Sequence, residues 1–91
     1  MLEIVMSNRF KKDLKLASKR GYNLDLLDEV VEKLANQQKL EERYRDHDLS
    51  GNYAGFRECH IQPDWLLVYR IDGDAVLLFL SRTGTHSDLF D

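Results

Sequence analysis

Trp65-Leu66-Leu67-Val68-Tyr69-Arg70-Ile71-Asp72-Gly73-Asp74-Ala75-Val76-Leu77-Leu78-Phe79-Leu80 decides the fold. Two runs nearly continuous in apolar residues, 65–71 and 75–80, flank Asp72-Gly73, the dipeptide that most favours a tight reversal between antiparallel strands. Strands without polar alternation have both faces covered, so this pair belongs at the centre of a sheet. Upstream, residues 56–61 have the composition of a half-exposed strand. Pro63, the only proline in the chain, and Asp64 behind it mark the turn that leads into Trp65. Three antiparallel strands result.

Working outward to the N-terminus, Leu2, Ile4 and Met6 alternate with Glu3 and Val5, a period of two that predicts a short opening strand. Ser7 or Asn8 can cap a helix whose apolar face is Phe10, Leu14 and Ala17, with Gly21 as its stop signal. Asn23 caps a second helix with Leu24, Leu27, Val31 and Leu34 on one face, ending near residues 36–39. Residues 41–52 are polar without a sustained period and are read as a loop. The order is β-α-α-β-β-β. It predicts one small α+β domain over residues 1–91, an antiparallel sheet with two helices packed on one face.

Composition sets the outer limits. With 43% hydrophobic and 32% charged residues, the chain is neither disordered nor membrane-embedded. Its apolar runs fall far short of the roughly 20 residues that a spanning helix needs. Met1-Leu2-Glu3-Ile4-Val5-Met6 carries an acid where an export signal carries basic residues, and the single Cys59 cannot form an internal disulfide; both agree with the cytoplasm. Cys59 is read as a small strand residue rather than a nucleophile. The net charge of −3 argues against a nucleic-acid binder. Its distribution argues differently: Arg9, Lys11, Lys12, Lys15, Lys19 and Arg20 gather with only Asp13 against them, so the first helix can offer a positive face, with Lys11, Lys12 and Lys15 as candidate substrate contacts.

The reactive residues lie in the second half. His60 and Asp64 flank the Pro63 turn, His47 precedes them, and Arg82 and His86 follow. Metal-free RNA cleavage needs a base for the 2′-hydroxyl proton, an acid for the departing 5′-oxygen and a cation for the phosphorane between them. Histidine, with an ordinary pKa of about 6.5, serves either proton role. Arginine, always charged, forks two donors onto phosphate oxygens, which makes Arg82 the electrostatic candidate. The working assignment sets His60 with Asp64 on the base side and His86, assisted by His47, on the acid side; exchanging the two sides fits equally well. Trp65 and Phe90 can each stack on an unpaired base or pack into the core. Two other readings use the same residues: a metal-dependent hydrolase with His47, His60, Asp64 and His86 as ligands, and a non-catalytic interaction module that acts by occupancy.

Three blocks carry a resemblance. Arg45-Asp46-His47-Asp48-Leu49-Ser50-Gly51, then Gly55-Phe56-Arg57-Glu58-Cys59-His60-Ile61-Gln62-Pro63-Asp64-Trp65-Leu66-Leu67-Val68-Tyr69, then Arg82-Thr83-Gly84-Thr85-His86-Ser87-Asp88-Leu89-Phe90 resemble the YafQ branch of the RelE-type bacterial toxins. The resemblance implies a RelE-like fold and a type II toxin–antitoxin toxin, a ribosome-dependent endoribonuclease that cuts mRNA in the A site without metal or cofactor. It implies a DinJ- or RelB-like antitoxin as partner, operator DNA reached only through that antitoxin, and no membrane. Residues that act in the family match His47, His60, Asp64, Trp65, Arg82, His86 and Phe90; the negative net charge departs from the family's usual basic character.

Overall fold

The structure is a computed structural model and describes residues 1–90. The apolar hairpin lies where its composition requires. β4 (Trp65–Asp72) is the middle strand of a five-stranded sheet of order β1-β5-β4-β3-β2, with β1 at Glu3–Met6, β2 at His47–Asp48, β3 at Arg57–Gln62 and β5 at Leu77–Gly84. β3, β4 and β5 are antiparallel neighbours. β1 is not: it runs parallel to β5, Glu3 opposite Leu77 and Met6 opposite Leu80, so the sheet is mixed. Alternation of side chains is the same for either strand direction, which is why the pattern of residues 2–6 could not tell the two apart.

Both helices start and stop on the expected residues. α1 (Asn8–Lys19) is capped by Ser7, whose hydroxyl oxygen accepts the Phe10 N–H at 2.9 Å and itself donates to the Ser81 carbonyl at 2.6 Å. It ends at Gly21, φ 78°, where Gly21 N–H bonds the Ser18 carbonyl and Tyr22 N–H that of Ala17, the paired bonds of a Schellman motif. α2 (Leu24–Ala35) is capped by Asn23 and ends in the same paired bonds, with Gln37 at φ 56° in the position that glycine holds after α1.

Three local expectations are corrected. Asp72-Gly73 does not make a two-residue reversal: Asp72 Oδ1 accepts the Asp74 and Ala75 N–H groups at 3.0 and 3.1 Å, and the chain re-enters the sheet only at Leu77. A carboxylate that replaces a backbone acceptor builds a longer turn. Residues 41–52 are not wholly loop, since they hold the 3₁₀ turn Glu42–Tyr44 and the two-residue β2, which pairs His47 with Glu58 and Asp48 with Arg57. β5 runs on to Gly84, and a short helix, α3 (His86–Phe90), follows it. Its signal is Thr85-His86-Ser87-Asp88: Asp88 Oδ2 accepts the Thr85 N–H at 2.9 Å and Thr85 Oγ1 accepts the Asp88 N–H at 3.1 Å, a reciprocal cap.

The sheet separates two apolar layers. Trp65, Leu67 and Tyr69 of β4 face α1 and α2 and pack with Phe10, Leu27, Val30, Leu34, Cys59 and Leu78. Leu66 and Val68 face the other way, against Leu89 of α3 and the half-buried Leu49, Tyr53 and Phe56. This second face is covered only in part. No helix among the described residues is long and apolar enough to cross a membrane.

Candidate active site

Strand alternation assembles the site on the partly covered face. Because Cys59 and Ile61 point into the helix layer, Glu58 and His60 of β3 point away from it, beside Leu66 and Val68. The register of β2 brings His47 opposite Glu58. β2 is held in place by Asp46, which accepts the Tyr69 hydroxyl and pairs with Arg57 Nη2 at 3.3 Å, while Arg57 Nη1 reaches Asp48 at 2.5 Å.

Glu58 is 5% exposed, and its Oε1 lies 3.6 Å from both His47 Nε2 and His60 Nε2. Each of those imidazoles turns its Nδ1 to a backbone carbonyl, His47 to Arg45 at 2.6 Å and His60 to Pro63 at 3.2 Å. A carbonyl can only accept, so Nδ1 carries the proton and Nε2 is the nitrogen left to bind a second one. A proton taken up there faces the Glu58 carboxylate. Sequence reasoning missed Glu58, although its place two residues before His60 on a strand put both side chains on one face.

Asp64 serves a different histidine from the one expected. Its Oδ1 accepts the backbone N–H of His86 and meets His86 Nδ1, both at 3.1 Å, and these bonds hold the Asp64 carboxyl below its usual range. His60 has other partners: its Nδ1 meets the Pro63 carbonyl and its Nε2 lies against Glu58. His47 likewise stands by His60, ring centroids 6.4 Å apart, on the Glu58 side and not beside His86. The His60 and His86 rings are 5.7 Å apart. Two carboxylate–imidazole pairs thus face each other, and the partners of the sequence-based assignment are exchanged between them.

Arg82, opposite Val68 on β5, is not free. Its Nε and Nη2 donate to Asp13 Oδ2 and Oδ1 at 2.7 and 3.2 Å, and Asp13 also accepts the Thr83 N–H at 3.1 Å. The Arg82 and Asp13 side chains are 14% and 13% exposed. β1 stops opposite Leu80, so Asp13 from α1 closes the β5 edge beyond it. The Asp13 carboxylate raises the Arg82 pKa, so the guanidinium stays charged, and three of its five N–H groups are left over.

The remaining candidates divide. Trp65 is 1% exposed, donates Nε1–H to Thr83 Oγ1 at 2.9 Å and packs its ring on Tyr22 at 4.9 Å; it is a core residue, and its expected role in base stacking is withdrawn. Phe90 is 42% exposed, with the Tyr53 ring edge-on at 5.5 Å and His86 at 6.3 Å. Lys11, Lys12 and Lys15 are exposed on α1, which packs on the opposite side of the sheet from the imidazoles, and none joins them. Burial pushes the Cys59 thiol well above its ordinary range, as befits a structural residue. For a metal, the closest donor set among the described residues is Glu58, His60 and His86, whose ligand atoms lie within 4.8 Å of one another.

The β-α-α-β-β-β-β-α chain, with facing carboxylate–imidazole pairs on an open sheet face, has the architecture of the small toxins of type II toxin–antitoxin systems. The chain belongs to the YafQ family of those toxins: residues 2–91 match the family described as "Bacterial toxin of type II toxin-antitoxin system, YafQ". It is 40% identical over 89 residues to the mRNA interferase toxin YafQ of Escherichia coli K12, covering 97% of this chain and 95% of that one. Among solved structures, a metal-bound toxin from Helicobacter pylori superposes with a TM-score of 0.94 at 51% identity, over 99% of this chain and 100% of the other. The E. coli DinJ–YafQ complex matches with a TM-score of 0.90 at 38% identity, over 100% of both chains.

Proposed function

We propose that the protein is an endoribonuclease that cleaves mRNA in the ribosomal A site by metal-free proton transfer, with His60 as base and His86 as acid. One observation carries this reading: the two imidazoles, 5.7 Å apart, each have a carboxylate of their own, Glu58 at 3.6 Å and Asp64 at 3.1 Å. His60 Nε2 takes the 2′-hydroxyl proton, and the charge formed lies against Glu58. The 2′-oxygen then bonds to phosphorus. As the bond to the 5′-oxygen breaks, His86 donates its proton there, leaving a 2′,3′-cyclic phosphate and a 5′-hydroxyl. Arg82, oriented by Asp13, gives its remaining N–H groups to the nonbridging oxygens. Phe90 offers a ring to an unpaired base.

The E. coli relative's name, mRNA interferase, supports this substrate, and 40% identity along nearly all of both chains supports the same reaction class. The E. coli DinJ–YafQ complex supports a DinJ-like antitoxin as partner. Ribosome dependence has a physical argument. A cluster on an open sheet face positions a message poorly, and positioning is worth on the order of 7–11 kcal/mol of barrier. The ribosome supplies it.

The metal-bound H. pylori toxin and the Glu58, His60 and His86 donor set favour one second reading. Two imidazoles and a carboxylate suit zinc or copper, and this trio differs from the His47, His60, Asp64 and His86 set of the alternative metal reading, with Glu58 as its carboxylate in place of Asp64. Such an ion supplies a Lewis acid when bound. His60 and His86 would then be ligands and not proton carriers.

The test is cleavage of a message in a purified translation system with 5′ ends mapped, wild type beside His86→Ala, with and without chelator. We expect A-site cuts that survive chelation and fall about 10²–10⁴-fold in the variant. Cuts lost on chelation turn the assignment to the metal reading. Translation arrested by both proteins with the message intact establishes occupancy instead.

A further inference from the structure

Arg70 lies two residues beyond Val68 on β4, so it shares the face that carries the imidazoles, about 7 Å along the strand from the rung of Arg82. Its guanidinium carbon stands 5.7 Å from the centre of the Phe56 ring and 5.9 Å from that of Phe79, and the two rings are 6.5 Å apart. Phe56 also packs on the Leu66, Val68 and Leu89 cluster beneath the site, so the surface is continuous with it. The three arginines of the sheet differ in what they face. Arg57 is paired with Asp46 and Asp48 and Arg82 with Asp13, whereas no carboxylate among the described residues lies within ion-pair distance of Arg70. Asp72, the next residue on the same face, directs Oδ1 to the hairpin N–H groups.

We infer that Phe56, Phe79 and Arg70 form a second RNA subsite, which stacks the nucleotide neighbouring the scissile phosphate and pairs Arg70 with the adjoining phosphate. The inference rests on the nuclease reading above. Aromatic rings with an uncompensated arginine hold single-stranded nucleic acid without reading its sequence. A planar guanidinium over two rings is already arranged to cover a base, and among the described arginines of the sheet its charge is the one that no carboxylate balances. The subsite lies one nucleotide step from Arg82, so it sets which bond meets His60 and His86.

The test is single-turnover cleavage on programmed ribosomes over a range of toxin concentrations, for wild type, Arg70→Gln, Arg70→Lys and Phe79→Leu, with melting temperatures measured alongside. Arg70→Gln and Phe79→Leu should raise the half-saturating concentration roughly tenfold while lowering the saturated rate far less, and should spread the mapped cuts over neighbouring bonds. Arg70→Lys, which keeps the charge but not the plane, should fall between. Wild-type values and cut positions in all three variants, with the fold intact, overturn the subsite and leave the nuclease standing. A wild type that leaves the message whole removes both.

Discussion

At the residue scale, the chemistry turns on which carboxylate meets which imidazole. Glu58 is the most consequential residue that the sequence left unmarked: acids in strands are ordinary, and only the register of β2 against β3 reveals one lying between two Nε2 atoms. Glu58→Gln preserves size and hydrogen-bonding capacity but removes the charge that balances a protonated His60. The saturated cleavage rate should therefore drop by about 10²-fold or more with a melting temperature close to the parent. Full rate in Glu58→Gln would make the carboxylate structural. Trp65, which the sequence left open between base stacking and the core, starts the central strand with its ring in the helix layer.

At the scale of elements, α3 is the piece on which His86 and Phe90 depend, and it is fastened from two directions. Asp88 accepts Arg20 Nη1 and Nη2 at 2.6 and 3.1 Å as well as the Thr85 N–H, and these bonds hold its carboxyl well below the usual range. Gly84 leaves room for it, since a Cβ there would stand 2.8 Å from Asp88 Oδ2. A carboxyl whose pKa is lowered by folding stabilises above its unfolded value of about 3.9, and that contribution disappears as pH falls through the lowered value. Wild type should thus melt above Asp88→Asn by a constant margin from about pH 8 to 5, and the margin should close in more acid solution. A margin independent of pH would remove the carboxylate from the account. The helix itself was hidden because five residues carry no periodicity; β2, two residues long, was hidden for the same reason.

At the scale of the whole molecule, fold and site are separable, because the sheet keeps the larger apolar layer on one side and the candidate reactive groups, over a smaller one, on the other. Leu27, 3% exposed in the helix layer, and His60, on the far face of β3, make the comparison. Leu27→Asp buries an unpaired charge and should abolish the cooperative thermal transition, whereas His60→Ala should melt within a few degrees of the parent while losing cleavage. Collapse of His60→Ala would tie that histidine to the fold. The amino-acid order by itself determined the α+β class, the helix caps at Ser7 and Asn23 and the hairpin as the sheet's centre, because each is written in local periodicity or local hydrogen bonding. Only the tertiary structure decided that β1 runs parallel to β5, that Asp64 belongs to His86 and that Arg82 rests on Asp13. The last two contacts join residues 22 and 69 positions apart, so strand register and helix docking, not local pattern, determine which charge meets which.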